Sequence, residues 1–242
     1  MMTRSELIQA FAPTGRLRAA INVGNPILAQ RHPDSHEVSG ISVDLARGWA
    51  HTLGVALDLM VLETAAASVD RVARDEADIG FFAIDPKRGE GVYFTEPYVL
   101  IEGCYLVRDD SPLTDNAQVD RPEHRVVVGQ GSAYDLFLSR ELKQARIERA
   151  PSSPAVVECF LAQGADVAAG VKQQIEDEAR RLGGLRLLPG HFMLIRQAMG
   201  CPRSRCEAAA QALGAYLRDM KASGFVAEAL ARHGVQGVGL AP

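Results

Sequence analysis

The sequence has no long apolar run. No stretch approaches the roughly 20 apolar residues that a membrane-spanning helix needs, so the chain is expected to be soluble. The N-terminus, MMTRSELIQAFAPTGRLRAAINVG, offers no secretory signal either, because Ser5, Glu6 and Gln9 interrupt any apolar core of roughly 7–15 residues. As written, the chain is expected to be cytoplasmic; it would be periplasmic if a signal had been trimmed. Blocks of like charge are missing too. A net charge of -4 with no basic stretch excludes the electrostatic footprint that grips a phosphate backbone, so nucleic acid is not an expected partner. Cysteine is sparse, at 104, 159, 201 and 206. The spacing of Cys201 and Cys206 is neither a CxxC redox pair nor half of a common zinc site, and the thiols read as small hydrophobes. His32 and His36 are interrupted by Pro33 in a loop, so no metal site is expected.

What is present is ordinary globular material. Hydrophobic residues make up 47% and charged residues 23% of 242 residues, enough for one large domain or two small lobes. Leu17–Asn22 reads as a strand ended by Gly24, Asn25 and Pro26. Leu45, Ala46, Trp49, Ala50 and Leu53 recur at helical spacing, with Ser42 as the expected cap and Gly54 as the stop. Val55–Leu62 is a predicted strand, Ser68–Ala77 a helix and DIGFFAI (Asp78–Ile84) a buried strand. After the polar, proline-bearing stretch around Pro112 the alternation resumes. Strands are predicted at His124–Val128, Ile147–Ala150, Asp166–Val171 and Leu185–Leu188, and helices at Asp135–Leu142, Pro154–Gln163 and Gln173–Leu182. Two helices follow, one carrying Leu213, Tyr216, Leu217 and Met220 and ending at Gly224, the other spanning Val226–His233. Alternating strands and helices imply an α/β fold with parallel strands.

Four stretches carry a family resemblance. GISVDLARGWAHTLGV (Gly40–Val55), IDPKRGEGVYFTEPYV (Ile84–Val99), VVVGQGSAYDLFL (Val126–Leu138) and MKASGFVAEALARHG (Met220–Gly234) resemble, in this order, motifs of the bacterial family 3 solute-binding proteins. The second is the most specific, since P-x-R followed by F-T-x-P-Y is hard to assemble by chance. The resemblance implies a two-lobed periplasmic binding protein type II fold of the Venus flytrap kind, with a ligand cleft between the lobes. Lobe one would be residues 1–107 plus 196–242 and lobe two the insertion 108–195, joined by hinge strands near Tyr105–Arg108 and Leu194–Gln197. The implied function is binding of a small polar, carboxylate-bearing solute, an amino acid or organic acid, for delivery to an ABC permease by a monomer. Because no Cys/His spacing suits zinc and no phosphate-binding loop is complete, no cofactor is expected.

The same resemblance points to the ligand-binding candidates. Arg88 falls on the family's arginine, and a planar guanidinium makes two parallel hydrogen bonds to a carboxylate; otherwise it is a surface residue paired with Asp85 or Glu90. Gly131, Ser132 and Ala133 open a helix, where backbone N–H groups favour an anion; otherwise Ser132 is an N-cap. Tyr134 is either a pocket wall or an exposed helix residue. Asn25 is either a contact or turn chemistry. The family's glycine- and hydroxyl-bearing run before the P-x-R motif is replaced by Phe81, Phe82 and Ala83, making Phe82 and Ala83 a candidate aromatic wall, with core packing as the other reading of the ring. Where amino-acid receptors place an acid on lobe two, the sequence has Gly170, Val171 and Lys172, so Val171 and Lys172 are candidates and an ammonium would lack its counter-charge.

Two other functions compete. One is a ligand-sensing regulatory domain. The other is an enzyme on the same scaffold, like the cyclohexadienyl dehydratases, for which a cleft acid would be required. The acids nearby, Asp85, Glu90, Asp135 and Glu176, read as solvated charge, and no catalytic constellation stands out.

Overall fold

A computed structural model describes residues 2–242, and the chain divides into two compact units. The first comprises the chain through Leu100 together with Arg196–Pro242; the second is the continuous stretch Ile101–Ile195.

The first unit begins with helix α1 (Arg4–Phe11), which the polar N-terminal sequence did not suggest. Its signal is a capping box, in which Thr3 and Glu6 satisfy each other's backbone donors. Strand β1 (Arg16–Asn22) follows, then a two-stranded ribbon of β2 (Gln30–Arg31) and β3 (Val38–Ser39). Helix α2 (Ile41–Leu53) starts one residue before Ser42, with Gly40 at its N-cap and no side-chain cap; Ser42 is buried inside the first turn. Gly54 ends the helix in the left-handed conformation at φ 68. Strand β4 (Ala56–Leu62), helix α3 (Ala65–Ala73) and strand β5 (Ile79–Ala83) complete the α/β run. Helix α3 begins earlier than its apolar spacing suggested, because Thr64 accepts a hydrogen bond from the Ala67 N–H.

Strand β6 (Val92–Arg108) starts in the first unit and ends in the second. The second unit then runs β7 (Arg125–Gly129), α4 (Ala133–Glu141), β8 (Arg146–Ala150), α5 (Val156–Ala162), β9 (Val167–Val171), α6 (Lys172–Leu182) and β10 (Leu185–Leu187). Strand β11 (Met193–Pro202) returns to the first unit, which closes with α7 (Glu207–Ala222), α8 (Phe225–Arg232) and β12 (Gly239–Leu240).

In the first unit the strand order is β4-β1-β5-β11, with β4, β1 and β5 parallel and β11 antiparallel against β5. In the second it is β6-β9-β7-β8, with β9, β7 and β8 parallel and β6 antiparallel. Ligands of open α/β sheets collect at the carboxyl ends of the parallel strands. Those ends are Leu62, Asn22 and Ala83 in the first unit, and Ala150, Gly129 and Val171 in the second.

The cores explain the order. Strand β5 is buried along its whole length, as is β9, the pattern expected of central strands covered on both faces. Trp49 packs edge-on against Phe11 at 5.3 Å and meets Tyr216 at 5.0 Å, tying α1, α2 and α7 together. Asp78, fully buried at the head of β5, accepts hydrogen bonds from the Arg18 backbone, from the Arg18 guanidinium at 2.7 Å and from Arg205 at 3.0 Å. A buried carboxylate is tolerated only with such partners, and these link β1, β5 and the segment before α7.

Candidate functional site

At the carboxyl end of β5 the backbone turns. The Asp85 carboxylate accepts from the Lys87 N–H at 2.9 Å and its carbonyl from the Gly89 N–H, an Asx-type turn that lifts Arg88 back over the strand end. Arg88 is only 5% exposed, so it is not the surface residue that one reading of the sequence allowed. Its Nη1 donates to the Ala83 carbonyl at 3.3 Å. Burial draws its guanidinium down to about 10, partly offset by the Asp85 charge, and it remains a cation at neutral pH. Ala83 and Arg88, two of the candidates, are therefore joined directly.

Phe82 is not a wall of this edge. Side chains alternate along a strand, and its ring lies in a core cluster with Ala20, Val72, Ala77 and Val92 at 1% exposure. A Cβ on Gly80 would come within 2.1 Å of the ring, so glycine there makes room for the phenyl group. Asn25 follows β1, the strand beside β5. Its Oδ1 accepts from the Ile27 N–H at 3.2 Å and its carbonyl from Leu28 and Ala29, which is turn chemistry.

In the second unit, Ser132 is the N-cap of α4 and accepts from the Asp135 N–H at 3.0 Å. The anion-favouring turn already holds an anion of the chain's own. The Gly131 N–H donates to Asp135 Oδ2 at 2.8 Å, and the Ser132 N–H donates to the Gly129 carbonyl. The row of donors expected over Gly131, Ser132 and Ala133 is thus partly spent within the fold. Tyr134 is neither a wall nor exposed. It is 2% exposed, and its hydroxyl donates to Ser153 Oγ at 2.9 Å behind Gly129. Asp85 and Asp135, read from sequence as solvated charge, are each 4% exposed and bound into turns; Asp135 also accepts from Ser139 and Arg149.

Val171 ends β9 in the core at 5% exposure. Lys172 carries a counter-charge that the sequence did not reveal. Its Nζ donates to Glu102 at 2.6 Å, and His191 lies 3.6 Å from the same carboxylate. Glu102 reaches this edge because β6 pairs with β9, Gly103 opposite Val171. Its only sequence signal is a lone acid in the apolar run VLIEGCYLV. The Lys172 bond, with Lys172 and His191 charge, holds the Glu102 carboxyl below the usual carboxylate range. Such a group stabilises the fold above that range and stops doing so as pH falls through its lowered value. Because the pair is about one-third exposed, its contribution is about 1 kcal/mol or less. Glu102→Gln should therefore melt slightly below wild type at pH 7, and the gap should close in strong acid; thermal melts across pH check this, and a gap that persists in acid refutes it.

The sequence profile of the bacterial extracellular solute-binding proteins, family 3, matches residues 17–236. No curated protein matches the chain in sequence. Among solved structures, an amino acid ABC transporter substrate-binding protein from Streptococcus pneumoniae bound to L-arginine is similar at TM-score 0.78 and 15% identity, over 95% of this chain and 100% of that one. A binding component of an ABC transporter from Wolinella succinogenes, complexed with lysine, gives 0.76 and 21% over 90% and 95%. An ancestral amino acid-binding protein, a precursor of cyclohexadienyl dehydratase, gives 0.76 and 17% over 96% and 99%. At these identities the likeness establishes the type II periplasmic-binding-protein fold. Among the described residues, no helix is long and apolar enough to cross a membrane.

Proposed function

Because the chain belongs to the bacterial extracellular solute-binding proteins, family 3, we propose that it binds a carboxylate-bearing amino acid and hands it, as a monomer, to an ABC permease. The observation that carries this reading is Arg88, a buried cation set on the carboxyl end of β5. A guanidinium in a desolvated position holds a carboxylate with two charge-assisted bonds. The arginine and lysine bound by two of the similar structures support an amino acid over other organic acids. The family's description supports work outside the cytoplasm, which cell fractionation tests.

We assign it no catalysis, although one similar structure is an enzyme's precursor. Asp85 and Asp135, acids in the two strand-end turns, are both engaged in turn-forming hydrogen bonds. Prephenate should survive prolonged incubation with the protein unchanged; its conversion would reverse this reading. The binding reading is tested by thermal melts with each of the twenty standard L-amino acids. At least one should raise the melting temperature by about 5–10 °C at a hundredfold excess over Kd. Twenty flat responses would refute it.

A further inference from the structure

Gln197 stands on β11 directly opposite Ala83, the residue whose carbonyl holds Arg88. The register puts it on the same sheet face as Ala83, Phe81 and Met199, and on the face opposite Phe82. It is 5% exposed, and its Oε1 is buried without a hydrogen-bond donor. Trp49 and Ser68 also bury unpartnered polar atoms, but they belong to helices α2 and α3 rather than to the strand end that carries Arg88. A buried carboxamide oxygen with no donor weakens the empty protein, and an apolar side chain of similar shape would serve the fold better. Side chains that break the folding rules in this way collect at binding sites.

We propose that Gln197 is the group that recognises the amino nitrogen of the bound solute. Its Oε1 accepts a hydrogen bond from the amino or ammonium N–H of the molecule whose carboxylate Arg88 holds, and this inference rests on the amino-acid reading above. A neutral carboxamide oxygen accepts from an amino or ammonium N–H without adding a second buried charge beside Arg88. It also narrows the ligand class. A solute with a carboxylate but no N–H donor leaves Gln197 unpaired and binds more weakly.

The experiment is calorimetry of wild type and Gln197→Met against each of the twenty standard L-amino acids, with melts of both proteins free of ligand. The expected result has two parts. Gln197→Met binds the preferred amino acid about tenfold or more weakly, yet melts about 2–4 °C higher when empty, because the unpaired oxygen is gone. If wild type binds an amino acid and Gln197→Met matches it within about threefold, the assignment of Gln197 is wrong while the amino-acid reading stands. If the variant melts lower than wild type or fails to fold, Gln197 is a structural residue and the assignment again fails. If wild type binds none of the twenty, the proposed function itself falls and takes this inference with it.

Discussion

Arg88→Ala should lower affinity for the bound amino acid by roughly 30- to 1,000-fold, or about 2–4 kcal/mol. The size follows from where the guanidinium sits. At 5% exposure it has given up most of its water, so a carboxylate meeting it is poorly screened. Truncation leaves the ligand's carboxylate desolvated and short of its charged partner, which costs more than losing one exposed ion pair. Arg88→Lys keeps the charge but not the planar fork, so it should recover only part of the loss. Calorimetry on both variants, with melting curves to confirm folding, reads the effect. Binding within about threefold of wild type in both would make Arg88 an internal partner of the Asp85 turn and nothing more.

Phe82→Ala should destabilise the first unit by about 3–5 kcal/mol, the usual cost of removing a buried phenyl group. The ring is 1% exposed and fills the space between Ala20, Val72, Ala77 and Val92. Glycines 80 and 200 lie under the ring and cannot fill the gap, although Met60, Leu62 and Phe94 also border the cluster. Native proteins are stable by about 5–15 kcal/mol, so much of the reserve would go. Urea unfolding measures it, with the transition of the first unit analysed separately because two units need not melt together. The folded fraction should bind amino acid as wild type does. Intact stability with lost binding would return Phe82 to the site.

These two residues show where sequence reasoning works and where it stops. Local chemistry was legible. Gly54 ends α2 in the left-handed conformation, Ser132 caps α4, and the alternating pattern gave the α/β class. Strand alternation allowed only one of Phe81 and Phe82 to face any site, but which face meets which helix is decided by pairing with β1 and β11, and no local pattern carries that. Tyr134 misled for the same reason, since its partner Ser153 comes from beyond β8. Glu102 and the proposed role of Gln197 have no local signal because each depends on a strand pair, one against β9 and the other against β5. The capping box of α1 is legible in Thr3 and Glu6, a local signal that a polar segment carries as well as an apolar one.

The return of β11 to the first unit has a consequence for how the protein is made. Synthesis is vectorial, and domains tend to fold as they emerge, at about 5–20 residues per second. The second unit is one uninterrupted stretch, Ile101–Ile195, and can close as soon as it leaves the ribosome. The first unit cannot. Strand β5, with the sequence IGFFA, is paired on one side with β1 but waits for Gln197–Gly200 to cover its other edge, so for the whole time the second unit is being translated it presents an apolar strand with one open edge. Such an edge is the template on which chains stick to one another. The nascent chain is therefore most exposed to aggregation, and most dependent on chaperones, between the completion of β5 and the emergence of β11.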